Sequence, residues 1–436
     1  MHAPDSPPHH RLAALIGATP RELLPAIAGF VLFFCLFCGY FMLRPIREAM
    51  GIAGGVDKLQ WLFTATFVVT LLVVPLHGWL SAHVPRRRFI DWAYGFFVVN
   101  LLAFALVFGL AGESVWAARI FYVWLSVYNL FVMSVAWSLM ADVFDREQAE
   151  RLFAFMAAGA SVGGLVGPAI GALLITVVGQ HGLLLLAAVL LAAAVAIKHY
   201  LMAWREVGGA GRPNAPRPSE ATSRPIAGNP FEGAKQVFSS PYLLGVSVFV
   251  ILLATVSTFL YFEQARLVAG VFPDRAAQIR VFSLIDIAVQ SLSLIAQVFI
   301  TGRVARKLGV RALLMGVPLM MAVGFGLLAL LPGFAVLAGV MIVRRVGEYA
   351  FVRPGREMLF APMPPVRKYQ AKQFIDTVVY RGGDAISGWA KTGLDALGQG
   401  PVLVAVIGVG CALAWAISGH LLGRAHDTGG TAGELR

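Results

Sequence analysis

Apolar positions in this chain fall in long unbroken windows, with neither the strict alternation of a half-buried strand nor the narrow stripe of a surface helix. The stretch from Leu183 to Ile197 has no polar residue at all. About 20 apolar residues in a helix cover the roughly 30 Å hydrocarbon core of a bilayer. Windows of that kind predict spans near 23–46, 57–81, 89–111, 114–141, 150–178, 182–203, 241–268, 276–301, 310–332, 334–358, 370–395 and 400–423. The expected fold is therefore an all-α polytopic membrane protein of twelve transmembrane helices.

The polar intervals set the organisation. Between Arg205 and Ser240 the chain carries Gly208, Gly209, Gly211, Pro213, Pro216, Pro218 and Pro225, with no window long enough to span. That composition reads as a flexible linker. It separates a six-helix half over 23–203 from a second over 241–423, with tails at 1–22 and 424–436. Within the 204–240 linker, Pro230 to Phe238 is expected to form a short surface helix with Phe231, Ala234 and Phe238 on one stripe. Arg and Lys collect in alternate intervals: Arg11 and Arg21; Arg86, Arg87 and Arg88; Arg146 and Arg151; Lys198 through Lys235; Arg303, Arg306, Lys307 and Arg311; Arg353 through Lys372. The intervening loops near 112, 180 and 333 have none, so both termini are expected in the cytoplasm.

Composition supports this reading. Of 436 residues, 58% are hydrophobic and 13% charged, about half the roughly 25% charged share of soluble domains. The net charge of +12 could suggest nucleic acid, but the basic residues are scattered over short loops rather than gathered on one aromatic-studded face, so no nucleic-acid partner is expected. The lipid bilayer is the expected partner. Cys35, Cys38 and Cys411 all sit in apolar runs, so no metal site or disulfide framework is expected. No Gly-Lys dipeptide exists to build an ATP-hydrolysing phosphate loop, and no Ser or Cys sits in the strand–turn–helix context that a nucleophile elbow needs. A secondary carrier is expected, not an enzyme, and without a cofactor.

The two halves echo each other. Tyr40-Phe41, followed by Arg44, matches Tyr261-Phe262, followed by Arg266, at an offset of 221 residues. The interval Gly78-Trp79-Leu80-Ser81-Ala82-His83-Val84-Pro85-Arg86-Arg87-Arg88 matches Gly302-Arg303-Val304-Ala305-Arg306-Lys307 at an offset of 224. Agreement of two markers points to a duplicated six-helix unit and resembles the parallel repeat of major facilitator transporters. The glycine-and-basic intervals are similar to the loop motif of that superfamily, which gives Gly78, Arg86, Gly302, Arg303 and Arg306 a gating role. Gly163-Gly164-Leu165-Val166-Gly167-Pro168-Ala169-Ile170-Gly171 resembles its glycine-proline motif, and small residues let two helices approach closely.

Several charges stand at bilayer depth. Span 10 holds Arg344, Arg345 and Glu348, span 11 holds Asp376, Tyr380, Arg381 and Asp384, and span 8 holds Asp286 with Gln290 and Gln297. Each charge facing lipid would cost about 2.5–3.5 kcal/mol, so six would cost on the order of 15–20 kcal/mol. Arg344 with Glu348 and Arg381 with Asp384 are spaced to pair on one helix face, and Asp376, Tyr380 and Asp384 form a stripe. Arg44, Arg47 and Glu48 end span 1, and Glu263 and Arg266 end span 7. Arg44, Arg47, Arg266, Arg344, Arg345 and Arg381 against Glu48, Glu263, Asp286, Glu348, Asp376 and Asp384 make six of each sign. Such a pathway does not by itself announce an anionic substrate.

Three segments are more specific: Tyr40-Phe41-Met42-Leu43-Arg44-Pro45-Ile46-Arg47-Glu48-Ala49-Met50-Gly51, Glu348-Tyr349-Ala350-Phe351-Val352-Arg353-Pro354-Gly355-Arg356-Glu357-Met358-Leu359-Phe360, and Lys368-Tyr369-Gln370-Ala371-Lys372-Gln373-Phe374-Ile375-Asp376-Thr377-Val378-Val379-Tyr380-Arg381-Gly382-Gly383-Asp384. They resemble the ATP/ADP translocase (NTP/NDP exchange) family, in its short bacterial branch. The resemblance implies exchange of nucleotides or related phosphorylated metabolites by alternating access in the bacterial inner membrane. It also implies a small anionic substrate contacted by Arg44, Arg47, Lys368, Lys372 and Arg381. Arg344, Arg345 and Tyr380 are expected beside them. Two alternatives stay open: a proton-coupled facilitator of another organic solute, with a proton as coupling ion, and a non-transporting membrane receptor.

Overall fold

The computed structural model describes Ala13 and residues 16–84, 86–110, 114–209, 230–397 and 401–427. Among them every regular element is helical: α1 (Leu23–Ala53), α2 (Leu59–His83), α3 (Arg86–Leu110), α4 (Val115–Val143), α5 (Arg146–Gly209), α6 (Pro230–Ser239), α7 (Pro241–Val271), α8 (Arg275–Ala296), α9 (Gly302–Leu330), α10 (Phe334–Gly347), α11 (Arg353–Leu359), α12 (Pro365–Phe374), α13 (Tyr380–Ala396) and α14 (Pro401–Asp427). Polar residues start several of them. Ser114, Ser240 and Asp274 accept hydrogen bonds from the backbone N–H three residues on, at the first turns of α4, α7 and α8. Most of the linker and the outermost parts of both tails lie outside the described residues.

Among the described residues eight helices are long and apolar enough to cross a membrane. One is α5, which breaks at Gly179 (φ 65°), and another is the run from α8 through α9, which breaks at Gly309 (φ 74°). Glycine alone adopts that left-handed conformation without strain. The break in α5 falls between the two spans expected at 150–178 and 182–203. The interval at 302–309, expected as a loop, instead stays helical as far as Gly309. No proline or glycine pair interrupts it earlier, so backbone hydrogen bonding continues until a residue permits the turn.

Outward-facing side chains are apolar along much of the bundle: Leu72, Leu106, Val177, Leu330 and Ile417 are all more than half exposed. A continuous coat of that kind needs lipid as its solvent.

Inside, apolar side chains form two large clusters. One joins α1, α3, α4 and α5 and includes Ile279 of α8; the other joins α6, α7, α9, α10 and the elements through α14. A smaller cluster of Leu59, Leu62, Tyr122, Phe262 and Ala265 links α2 and α4 to α7. The tightest packing is between α1 and α5. A Cβ at Gly159, Gly163 or Gly167 would stand 2.1, 2.5 or 2.4 Å from the carbonyl oxygens of Phe30, Phe34 and Cys38. Both series step by four, so one face of α5 lies against one face of α1, backbone to backbone.

In the short helix α6 the Phe231 side chain, expected on the apolar stripe, lies outside the described residues. Among its described positions Gly233 and Val237 are buried, whereas Phe238 is mostly exposed. It rests on α12, where a Cβ at Gly233 would come within 2.5 Å of the Gln370 carbonyl oxygen and where Gln236 bonds Gln370. Val237 joins the second apolar cluster and Gly233 meets α12 at close approach, and together they fix the stripe that faces the protein.

Candidate substrate cavity

A cavity of about 850 Å³ lies between α1, α2, α4 and α5 on one side and α7, α8 and α10 through α13 on the other. Its wall on the first side carries Phe37, Tyr40, Phe41, Arg44, Arg47 and Glu48 of α1, with Tyr122, Ser126 and Asn129 of α4. The opposite wall carries Ser257 and Tyr261 of α7, Gln290 and Gln297 from the α8 region, and a dense group from Arg344 to Asp384.

That charged group is placed by irregular helix. The chain forms π-helical turns at Gln297–Thr301, Glu348–Val352 and Ile375–Val379. A π-turn shifts side-chain register and loosens the backbone hydrogen-bond ladder. Two of these turns satisfy each other: Gln297 Nε2 donates to the Tyr349 carbonyl at 3.1 Å, and Thr301 Oγ1 to the Ala350 carbonyl at 2.8 Å. Glu348 and Tyr349 thereby reach the cavity from the π-turn between α10 and α11.

Most charges are paired. Arg344 Nη1 donates to Glu348 Oε2 (3.0 Å) and to Ser257 Oγ (2.8 Å). Arg345 Nη1 stands 2.6 Å from Asp286 Oδ1, and Arg44 Nη1 stands 3.7 Å from the same oxygen. Arg356 pairs with Asp376 at 2.9 Å and Lys372 with Glu357 at 2.5 Å. Arg381 lies 3.6 Å from Asp384, whose other oxygen accepts from Thr258 at 3.3 Å. Arg47 pairs with Glu48 at 3.1 Å and sits 3.9 Å over the Tyr122 ring. Exposure falls from 58% for the Arg353 side chain to 5% for Asp286, so the cavity runs from a wet mouth at α11 and α12 to a dry base.

At the opposite end aromatic side chains join α2 to α7 and α13. Trp61 meets Trp389 edge-on with ring centroids 4.8 Å apart, Phe63 meets Tyr261 at 5.4 Å, and Trp389 Nε1 donates to Thr64 Oγ1 at 3.0 Å.

Of the residues singled out by sequence, Arg44, Arg47, Glu48, Arg344, Arg345, Glu348, Lys372, Asp376, Tyr380, Arg381 and Asp384 line this space. Asp286 is buried directly behind Arg345. Lys368 is absent from the lining, and Glu263 and Arg266 pair with each other at 2.6 Å outside it. Of the gating set, Gly78 lies near the end of α2, and Gly302, Arg303 and Arg306 are exposed and away from the cavity. The Arg86 side chain lies outside the described residues. Arg353, Arg356, Glu357, Tyr122, Tyr261 and Tyr349 also line the cavity, although the sequence reading gives them no substrate role. The first three fall at a loop edge where charge is ordinary, and lone tyrosines in apolar windows carry no periodic signal.

The sequence profile of the Major Facilitator Superfamily matches residues 26–355. The chain belongs to that superfamily of membrane transporters. Among solved structures, this facilitator is similar to a bacterial homologue of the iron transporter ferroportin in an inward-facing state (TM-score 0.62, 14% identity, 92% of this chain and 98% of that one). It is likewise similar to a variant of the nucleoside transporter NupG (TM-score 0.60, 16% identity, 91% and 99%). A third is a bacterial homologue of the human lysosomal transporter Spinster, inward-facing and unoccupied (TM-score 0.60, 14% identity, 94% and 99%). Identities this low speak to the fold alone. No curated protein matches the sequence.

Proposed function

We propose that this facilitator exchanges nucleotides of the ATP/ADP type, or related phosphorylated metabolites, by alternating access. The bundle is read as twelve spans in two six-helix halves, in a bacterial inner membrane with both termini cytoplasmic. One observation carries the substrate class. The cavity lining holds eight basic side chains (Arg44, Arg47, Arg344, Arg345, Arg353, Arg356, Lys372 and Arg381) against five carboxylates (Glu48, Glu348, Glu357, Asp376 and Asp384). The even count read from the sequence becomes a net positive space once Asp286 withdraws behind the wall and the α11 and α12 residues join it. Seven of the eight cations are arginine, whose planar fork grips phosphate or carboxylate oxygens in pairs. Tyr40, Tyr122, Tyr261, Tyr349 and Tyr380 supply aromatic faces for a planar group. A volume of about 850 Å³ is in the range of cavities that hold small organic ligands, roughly 300–1,000 Å³. Proteoliposomes loaded with unlabelled ADP should take up labelled ATP; absence of counter-flow with every nucleotide and sugar phosphate tested would overturn this reading.

A proton-coupled cycle is the second reading. Asp384 supports it, because this deeply buried carboxylate is held only loosely, by Thr258 and Arg381. Uptake that collapses with a protonophore and needs no internal counter-substrate would favour it.

A further inference from the structure

The base of the cavity carries an unbalanced triad. Asp286 of α8 faces two guanidinium groups, Arg345 of α10 at 2.6 Å and Arg44 of α1 at 3.7 Å, both through Oδ1. One carboxylate therefore serves two cations. The remaining polar atoms are unmet: Asp286 Oδ2 and Arg345 Nε and Nη2 are buried with no hydrogen-bond partner among the described residues. Nε and Nη2 form the side-on edge of a guanidinium, the edge that grips two oxygens of one anion. Buried donors left open in this way are costly unless something fills them. The three residues also come from helices of different surroundings, since α1 belongs to the first apolar cluster and α10 to the second.

We propose that Asp286 is an internal counter-anion that competes with the substrate's oxyanion for Arg345 and Arg44. In the empty carrier it neutralises one of the two cations and keeps Arg345 in place. A phosphate or carboxylate entering from the mouth draws on the guanidinium of Arg345, the Asp286 contact loosens, and the unmet Nε–Nη2 edge turns from its buried position to the substrate. Asp286 is thus a positioning residue: it sets how tightly the base holds an anion and allows the anion to leave. The inference rests on the reading of the cavity as an anion carrier.

The test measures binding of ADP and of glucose 6-phosphate to the purified full-length carrier, together with exchange in proteoliposomes. Asp286→Asn should bind the probe that the wild type exchanges about tenfold more tightly and exchange it more slowly, because release is impeded. Arg345→Gln should weaken binding. Adding Asp286→Asn to Arg345→Gln should recover most of that loss, since the pair of changes restores the wild-type charge at the base. A purely structural Asp286 would lower thermal stability without tightening binding. Folded Asp286→Asn protein with unchanged or weaker binding overturns the proposal. If that variant does not fold, a double variant that binds no better than Arg345→Gln alone overturns it equally. Failure of the wild type to bind or exchange either probe would instead remove the anion-carrier reading on which this rests.

Discussion

At the scale of single residues, Arg381 is the most informative target. Its partner Asp384 keeps a second contact to Thr258, so removing the guanidinium leaves the carboxylate held on one side. Arg381→Ala is expected to insert and fold while exchange falls roughly 10- to 100-fold, the worth of one charged hydrogen bond of about 1.5–3 kcal/mol. Wild-type exchange at normal abundance would make that charge structural. Glu22 makes a different prediction, outside the spans. Burial acts to raise its carboxyl, but hydrogen bonds from the Thr19 amide, Gln148 and Arg151 outweigh it and hold the group at about 2 rather than 4.5. A depressed carboxylate stabilises the fold fully above its unfolded value and loses that contribution as pH falls from about 4.5 to 2. Melting of Glu22→Gln should therefore lie below wild type at pH 7, and the gap should narrow at pH 3. Sequence spacing identified Arg344 with Glu348 and Arg381 with Asp384 as pairs because one helix turn fixes those distances. It could not identify Asp286 with Arg345, which depends on two helices 59 positions apart meeting at one depth.

At the scale of elements, glycine spacing was readable in advance and its partner was not. The series Gly159, Gly163 and Gly167 announces close approach, while only the packed bundle shows the approach to be to α1. Gly163→Ala places a methyl 2.5 Å from the Phe34 carbonyl oxygen, and the strain should cost about 1–3 kcal/mol. Gly326 has open space around its Cβ position, so Gly326→Ala should melt like wild type in the same size-exclusion thermostability assay. Equal losses at both sites would mean that helix glycines matter here for flexibility and not for contact. The π-turns escaped sequence reading altogether, because Glu348–Val352 and Ile375–Val379 have ordinary helical composition. The irregular ladder at Glu348–Val352 takes hydrogen bonds from Gln297 and Thr301 of another element.

At the scale of the whole molecule, the aromatic contacts opposite the wet mouth predict where movement must occur. If the two sides rock about the cavity, the pair Trp61 and Trp389 has to separate in each cycle. In a background with Cys35, Cys38 and Cys411 replaced, Trp61→Cys with Trp389→Cys joined by a short bifunctional maleimide should lose exchange. The same protein without the reagent should retain most of it, and undiminished uptake after cross-linking would place the moving end elsewhere. The membrane class, the helical composition, the list of deep charges, six of each sign, and the glycine series were determined by the sequence alone, because bilayer thickness and helix periodicity act locally along a chain. The sign of the cavity, the sharing of Asp286 by two arginines, the burial of Gly233 and Val237 in α6, and the aromatic contacts between α2 and α13 were decided only by tertiary structure. Each depends on which residues distant in sequence arrive at the same depth, and no local spacing encodes that.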